Sequence, residues 1–186
     1  MGTETIQTQR LKLRKLRVED SSQMYANWAS DSKVTRYLSW PPHDTIETVK
    51  ALLVEKQELY MDPNYFDWGI EVKQMQELIG TITVVKQHEK IQTFEIGYAI
   101  GKNWWGNGYV AEALRAVVFY LFQETKVNRI EAAHDINNEN SGKVLQKAGF
   151  TYEGTFKKRG VNTSGIVDIS IYSILRNDWE NAKGIH

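Results

Sequence analysis

The stretch best equipped for chemistry is Ile96-Gly97-Tyr98-Ala99-Ile100, followed by Trp104-Trp105-Gly106-Asn107-Gly108-Tyr109-Val110-Ala111-Glu112-Ala113. It reads as a strand, a glycine turn and the start of a helix. Glycines leave backbone N–H groups unshielded, and a helix start carries about half a unit of positive charge, so an anion is favoured there. A phosphate or pyrophosphate is the expected ligand. Gly106-x-Gly108-x-x-Ala111 also satisfies the dinucleotide fingerprint, although Asp135 lies somewhat beyond the usual distance for a ribose-binding acid. A dinucleotide fold opens on this motif and then repeats βαβ units, whereas here a long helix- and strand-rich segment precedes it. Another phosphorylated cofactor is the leading reading, ahead of glycines that only tighten a turn and of a dinucleotide.

A second segment, Asn137-Asn138-Glu139-Asn140-Ser141-Gly142-Lys143-Val144-Leu145-Gln146-Lys147-Ala148-Gly149-Phe150, combines amide, hydroxyl and ammonium groups on one short predicted helix. His134 has no second histidine or carboxylate at metal-ligand spacing, so no metal site is expected and a satisfied strand histidine is the plainer reading. His43, in a loop after two prolines, is equally uncommitted. Lys157-Lys158-Arg159 reads as a solvated hairpin face or as a contact for an acidic substrate.

The elements that must position these residues follow from periodicity. Arg10 to Leu16 alternates like a half-buried strand, and Glu19-Asp20 opens a helix with Met24, Tyr25 and Trp28 on one face. Trp40-Pro41-Pro42-His43 must be a loop. Asp44 with Glu47 reads as a capping-box variant before a helix to about Tyr60. Three strands follow, Phe66 to Lys73, Glu77 to Val85 and Thr93 to Ile100, joined by short polar turns that imply antiparallel neighbours. A helix from Tyr109 to about Glu124, a strand from Arg129 to Ile136 and a helix from Ser141 to Ala148 come next, the last closed by Gly149. Strands Tyr152 to Lys158 and Ile166 to Leu175 flank an Asn162-Thr163-Ser164-Gly165 turn. This is a mixed α/β (α+β) chain rather than a repeating βαβ array.

The sequence has 186 residues, 41% of them apolar, with 23 basic against 23 acidic side chains and no cysteine. That supports one domain over 1–186 with its core at about 9–179, and excludes disorder, a disulfide framework and a thiolate site. The balanced charge argues against direct nucleic-acid binding. The longest uncharged apolar run, Ala116 to Phe122, is far short of the roughly 20 residues that span a bilayer, and the first residues lack a signal pattern. A cytoplasmic protein without a membrane partner, monomer or homodimer, is expected.

The pattern N-x-x-S-x-x-(V/L)-L-x-K-x-G-F over 138–150 resembles the cofactor-binding helix of the GNAT superfamily of acetyl-CoA-dependent N-acetyltransferases. The glycine loop resembles that superfamily's pyrophosphate loop, (Q/R)-x-x-G-x-(G/A), with Trp105 in the Gln/Arg place and Val110 in the Gly/Ala place. The form W-G-x-G-Y-x-x-E-A, with Arg36-Tyr37-Leu38, Lys147-Ala148-Gly149-Phe150 and the tail from Asp168 to Leu175, is similar to the ribosomal-protein N-acetyltransferase (Rim) branch. The resemblance runs from about Gln9 to Trp179.

It implies a twisted, mostly antiparallel sheet, flanked by helices, whose fourth and fifth strands, Thr93 to Ile100 and Arg129 to Ile136, run parallel and splay apart. The gap would bind the amide-bearing pantetheine arm of acetyl-CoA. Ile100, Trp105, Gly106, Asn107, Gly108, Tyr109, Val110, Asn138, Ser141 and Lys147 are the candidate cofactor-binding residues. An amide like that of Asn138 both donates and accepts, as pantetheine requires. Lys143 reaches phosphates or is solvated. Several members keep a glutamate where Glu95 stands, which makes it the candidate base, with burial beside Phe94 and Tyr98 poising it; Glu71 is a weaker candidate. The tyrosine that many members use as general acid is replaced by Leu145. A serine proposed for that role in the Rim branch is matched by Ser141, whose plainer reading is a helix cap. Trp40, Phe66 and Tyr98 are candidate walls of the acceptor pocket, with Trp68 a further aromatic that could equally be core. The expected reaction is transfer of acetyl from acetyl-CoA to a primary amine by direct attack in a ternary complex. The acceptor is the N-terminal α-amino group of a protein or, alternatively, a small-molecule amine. A non-catalytic CoA-binding sensor or interaction module is the reading of another class.

Overall fold

The computed structural model describes residues 2–182. Eight strands form one sheet: β1 (Ile6–Gln7), β2 (Leu11–Arg14), β3 (Asp67–Val72), β4 (Glu77–His88), β5 (Thr93–Ile100), β6 (Arg129–Asp135), β7 (Thr151–Asn162) and β8 (Gly165–Leu175). Their order across the sheet is β1-β2-β3-β4-β5-β6-β8-β7. Every neighbouring pair is antiparallel except β5 and β6, which are joined by a helical crossover. Because β1 adds a short strand at the start, the expected fourth and fifth strands are β5 and β6.

Six α-helices, α1 (Ser21–Met24), α2 (Ser32–Thr35), α3 (Ile46–Leu59), α4 (Tyr109–Glu124), α5 (Glu139–Lys147) and α6 (Arg176–Ala182), cover the two faces. Alternation along the strands sends one set of side chains to each face. On one side Leu11, Leu13, Trp68, Ile82, Ile96 and Ile130 pack against the apolar stripe of α4 and against Leu145 of α5. On the other, Leu16, Leu78 and Ala99 pack against Met24, Trp28, Val49 and Leu53. No helix among the described residues is long and apolar enough to cross a membrane.

Several local expectations need correction. The helix over 19–29 is three pieces: a 3-10 turn (Val18–Asp20), α1, and a π turn (Tyr25–Ala29). Met24 and Trp28 still face the core. Thr45, not Asp44, caps α3, its hydroxyl accepting from Thr48 N at 3.4 Å. Strand β4 runs on to His88, into residues expected to form a turn. The basic run Lys157-Lys158-Arg159, by contrast, is exposed on the β7–β8 hairpin as expected, at a register shift with Lys158 at φ 52°. Ser141 is the third residue of α5, and Asn138 occupies the cap position.

A charged clasp ties the sheet beside β6. The Arg129 guanidinium donates to both Glu153 carboxylate oxygens at 2.6 Å and to Glu131 Oε2 at 2.7 Å, and Ser173 Oγ adds a bond to Glu153 at 2.6 Å. Hydrogen bonding from Arg129 holds the Glu153 carboxyl down to about 2. A carboxylate depressed on folding contributes stability above its unfolded pKa of about 4.3 and loses it as pH falls towards the folded value. With the Glu153 side chain 40% exposed, water limits the effect to about 0.5–1 kcal/mol. Glu153→Gln should therefore lower stability at pH 7 but by less at pH 3, as read from urea midpoints; an equal deficit at both pH values would contradict the clasp.

Candidate active site

Strands β5 and β6 pair over only three positions, Thr93↔Arg129, Phe94↔Ile130 and Glu95↔Glu131. Beyond them β5 stays paired with β4 as far as Ile100, while β6 stays paired with β8 as far as Asp135. The two strands diverge, and main-chain edges from Ile96 to Ile100 and from Ala132 to Asp135 face a gap. A bulge in β4 between Val84 and Lys86, opposite Glu95 and Ile96, marks where the divergence begins. Bulges bend strands and increase twist, which suits that position.

The glycine loop lies at the open end of β5. Gly106 and Gly108 have φ of 79° and 77°, values that side-chain-bearing residues rarely adopt. Gly108 is the cap residue of α4 and provides no side-chain cap. The N–H groups of Tyr109, Val110 and Ala111 find no acceptor among the described residues. The dipole and unpaired donors of a sixteen-residue helix thus point at open space. Trp105, 48% exposed, donates its indole N–H to the Ile100 carbonyl at 3.0 Å and fastens the loop to the end of β5.

Arg10 and Glu112 brace this loop from behind. Arg10 Nε donates to Glu112 Oε2 at 2.6 Å and Arg10 Nη1 to the Asn107 carbonyl at 3.0 Å. The guanidinium carbon stands 4.6 Å over the Tyr109 ring. Thr8 Oγ1 and the Arg10 backbone N–H also donate to Glu112 Oε1, at 2.6 and 3.0 Å. Burial opposes ionisation of Glu112, but these bonds and the Arg10 charge outweigh it and hold the carboxyl below its usual range. Sequence reasoning missed Arg10. Its partner lies about a hundred residues away, and a glutamate in the first turn of a helix is already explained by the helix dipole.

On the far side of the gap, the Asn138 side chain makes no cap hydrogen bond to α5, and Ser141 is buried. Ser141 Oγ lies 2.5 Å from Tyr98 Oη. Burial, with Tyr172 nearby, pushes the Tyr98 phenol up to about 12. Phenol and hydroxyl therefore meet as two neutral groups. Lys143 and Lys147 are exposed on α5.

Glu95 is half-buried but not beside Phe94 and Tyr98. Alternation on β5 puts Phe94, Ile96 and Tyr98 on the α4 face and Glu95, Gly97 and Ala99 on the other. Its neighbours across the sheet are Lys86 and Glu131. The candidate base and the Tyr98–Ser141 pair thus flank the gap from opposite faces. Glu71 is engaged by Arg14 Nε at 2.6 Å, in a cluster with Asp20.

Of the expected acceptor walls, Trp40 packs against the core cluster on the Glu95 face, its ring 5.7 Å from that of His43. Phe66, only 2% exposed, lies in a core cluster with Trp68, Phe94 and Tyr120, near the start of β5 and away from the glycine loop. The structure does not bring it to the gap. The segment after α2 closes one side of the mouth: Thr163 of the β7–β8 turn donates from its N–H to the Leu38 carbonyl at 3.1 Å and from its hydroxyl to the Arg36 carbonyl at 2.8 Å. Tyr37 Oη reaches the Asn137 carbonyl at 3.3 Å. His134 donates from Nδ1 to the Asp135 carbonyl at 2.7 Å, while its buried Nε2 has no partner.

A gap between diverging parallel strands can receive an extended, amide-bearing chain, and the uncapped helix start can receive its diphosphate. The acetyltransferase (GNAT) domain family matches this chain over residues 10–151. Uncharacterized N-acetyltransferase YoaA of Bacillus subtilis is 33% identical over 171 residues, covering 92% of this chain and 96% of that protein. The ribosomal-protein-serine acetyltransferase of Escherichia coli is 26% identical over 141 residues, 73% of this chain and 75% of that one. The crystal structure of a GNAT-family acetyltransferase from Bacillus anthracis superposes with a TM-score of 0.81 at 27% identity, covering 94% of this chain and 99% of that one. The family match over residues 10–151, a relative of nearly equal length and the shared fold agree: the chain belongs to the GNAT family of acetyltransferases.

Proposed function

We propose that this GNAT acetyltransferase moves an acetyl group from acetyl-CoA to the N-terminal α-amino group of a protein, a ribosomal protein being the first candidate, by direct attack in a ternary complex. The observation that carries the reading is the meeting of two unsatisfied main-chain surfaces: the free N–H groups at the start of α4 and the unpaired edges of β5 and β6. The Rim-like motifs and the likeness to a ribosomal-protein-serine acetyltransferase support the acceptor.

Residues 106 to 110 would hold the diphosphate, with Arg10 keeping the loop in shape. The end of β5 at Ile100 and the Asn138 amide would hold the pantetheine amides, and Lys147 would lie towards the outer phosphate. When bound, acetyl-CoA supplies an acyl group on a good leaving thiolate. Glu95, on the opposite face from Ser141, would take a proton from the incoming amine. An α-amino group, of reference pKa about 7.7–8.0, is partly neutral at pH 7, whereas a lysine at about 10.4 costs several kcal/mol to deprotonate. One half-buried carboxylate is enough for the first. Ser141 would donate a hydrogen bond where the thiolate departs.

The acceptor is tested with a panel of unstructured peptides bearing free α-amines, blocked peptides carrying lysine, and small amines including a polyamine, read by release of CoA thiol. Turnover of the free α-amines is expected; turnover confined to small amines would discard the peptide reading. Arg10→Ala should weaken binding of acetyl-CoA about tenfold, roughly 1.4 kcal/mol, by loosening the diphosphate loop. Binding of acetyl-pantetheine, which has no diphosphate, should hardly change; calorimetry showing equal losses for both would refute the brace. Glu95→Gln should slow turnover near neutral pH and recover partly at alkaline pH, where the amine is already neutral. An unaltered pH–rate profile would remove Glu95 as base.

A further inference from the structure

Serine three residues into a helix ordinarily returns its hydroxyl to the carbonyl one turn back or leaves it in water. Ser141 does neither. It is buried on the inner face of α5, and its Oγ is 2.5 Å from the Tyr98 phenol oxygen on β5. Among the described residues, the other acceptor for that phenol is the carbonyl of the same serine, at 3.3 Å. Burial pushes the phenol up to about 12, and a phenol is a stronger donor than an aliphatic hydroxyl. Either oxygen can donate across the short contact, and the greater donor strength of the phenol favours Ser141 Oγ as the acceptor.

A hydroxyl that accepts a hydrogen bond from one side has its own hydrogen free to donate elsewhere. The packing of the next residue fixes the helix that carries it. A Cβ on Gly142 would stand 2.8 Å from Tyr172 Oη and 2.9 Å from His134 Nε2, so only glycine lets α5 dock this closely on β6 and β8. Val144 and Leu145 anchor the same turn in the core. With Leu145 apolar, α5 carries no phenol of its own at that position.

We propose that Tyr98 is the positioning residue for Ser141: its phenol donates to Ser141 Oγ and so turns the serine hydrogen towards the departing thiolate in the gap. The inference rests on the acetyl-transfer reading above and assigns Tyr98, expected from sequence as an acceptor wall, a different task. The phenol comes from the strand rather than from the helix. No net proton is lost from Tyr98, which stays a phenol throughout; the proton that ends on the CoA sulfur comes from the amine by way of Glu95 or water, with Ser141 as hydrogen-bond donor to the sulfur. The deprotonated amine nitrogen forms the new N–C bond as the C–S bond breaks.

The test is a double-mutant cycle of Tyr98→Phe, Ser141→Ala and the two together, with acetyl-CoA affinity measured by calorimetry and folding by urea midpoint. Rates are read on an unstructured peptide with a free α-amine and on hydrolysis of acetyl-CoA, which expels the same thiolate without an acceptor. Positioning predicts that each single change lowers kcat at least tenfold, that acetyl-CoA affinity stays within about twofold, and that the double variant is no slower than the slower single one. Additive losses, an unchanged kcat in Tyr98→Phe, or a kcat loss matched by lost affinity would each overturn the proposal while leaving the acetyltransferase reading intact. If Tyr98→Phe fails to fold, Tyr98→Leu with Ser141→Cys, judged by the same kcat-against-affinity split, replaces it. Wild-type protein that binds CoA yet transfers acetyl to neither amine nor water would overturn the underlying reading, and this inference with it.

Discussion

Everything at the site depends on main-chain polar groups that the fold leaves without partners. Unpaired N–H and C=O groups carry a free-energy cost when water is excluded. A sheet of eight strands normally meets that demand by pairing each strand on both sides. Here β5 and β6 are bonded to outer neighbours over most of their length but to each other over only three positions. The divergence coincides with the bulge in β4, and the Tyr98–Ser141 contact links β5 to α5 across the gap. An extended ligand with its own amides is the natural complement of such an edge.

The second unsatisfied surface, the start of α4, follows from the first. A right-handed crossover must leave β5 and return to β6, and the helix that makes it begins where β5 ends. The sequence supplies glycine rather than serine or aspartate at the cap, so the donors stay free. A loop this bare would be mobile without support. The support comes from the other end of the chain: Thr8 and Arg10 bind Glu112, and Arg10 also holds the Asn107 carbonyl. Binding surface and brace are thus built from segments far apart in sequence, with the core beneath α4 joining them.

How much of this the sequence reveals divides along physical lines. Strand β5 and helix α4 begin and end where periodicity and glycine placement put them, because both carry strong apolar patterns bounded by clear breakers. The parallel pairing and splay were implied by family likeness, since no local pattern encodes which strand edges stay open. The misses are cases where tertiary context overrides a local cue. Asp44 looks like a cap, yet the cap is one residue later, Thr45, and the helix begins at Ile46. Phe66 looks like a pocket wall because an aromatic near a site invites that reading, yet it completes a core cluster of four rings. Sequence proximity suggests that Glu95 sits beside Phe94 and Tyr98, although alternation along a strand sends it to the opposite face. That separation suits chemistry in which the amine arrives from one face and the thiolate leaves towards the other.

The central claim is that backbone amides at the loop and along the open strand edge receive CoA. A titration of the ¹⁵N-labelled protein with CoA, followed by amide chemical shifts, tests it most directly. Saturable shifts are expected to concentrate at residues 106–111 and 96–100, with the N–H groups of Gly108, Tyr109 and Val110 among the largest. Saturating CoA that leaves those amides unmoved, or that moves a different surface, would contradict it.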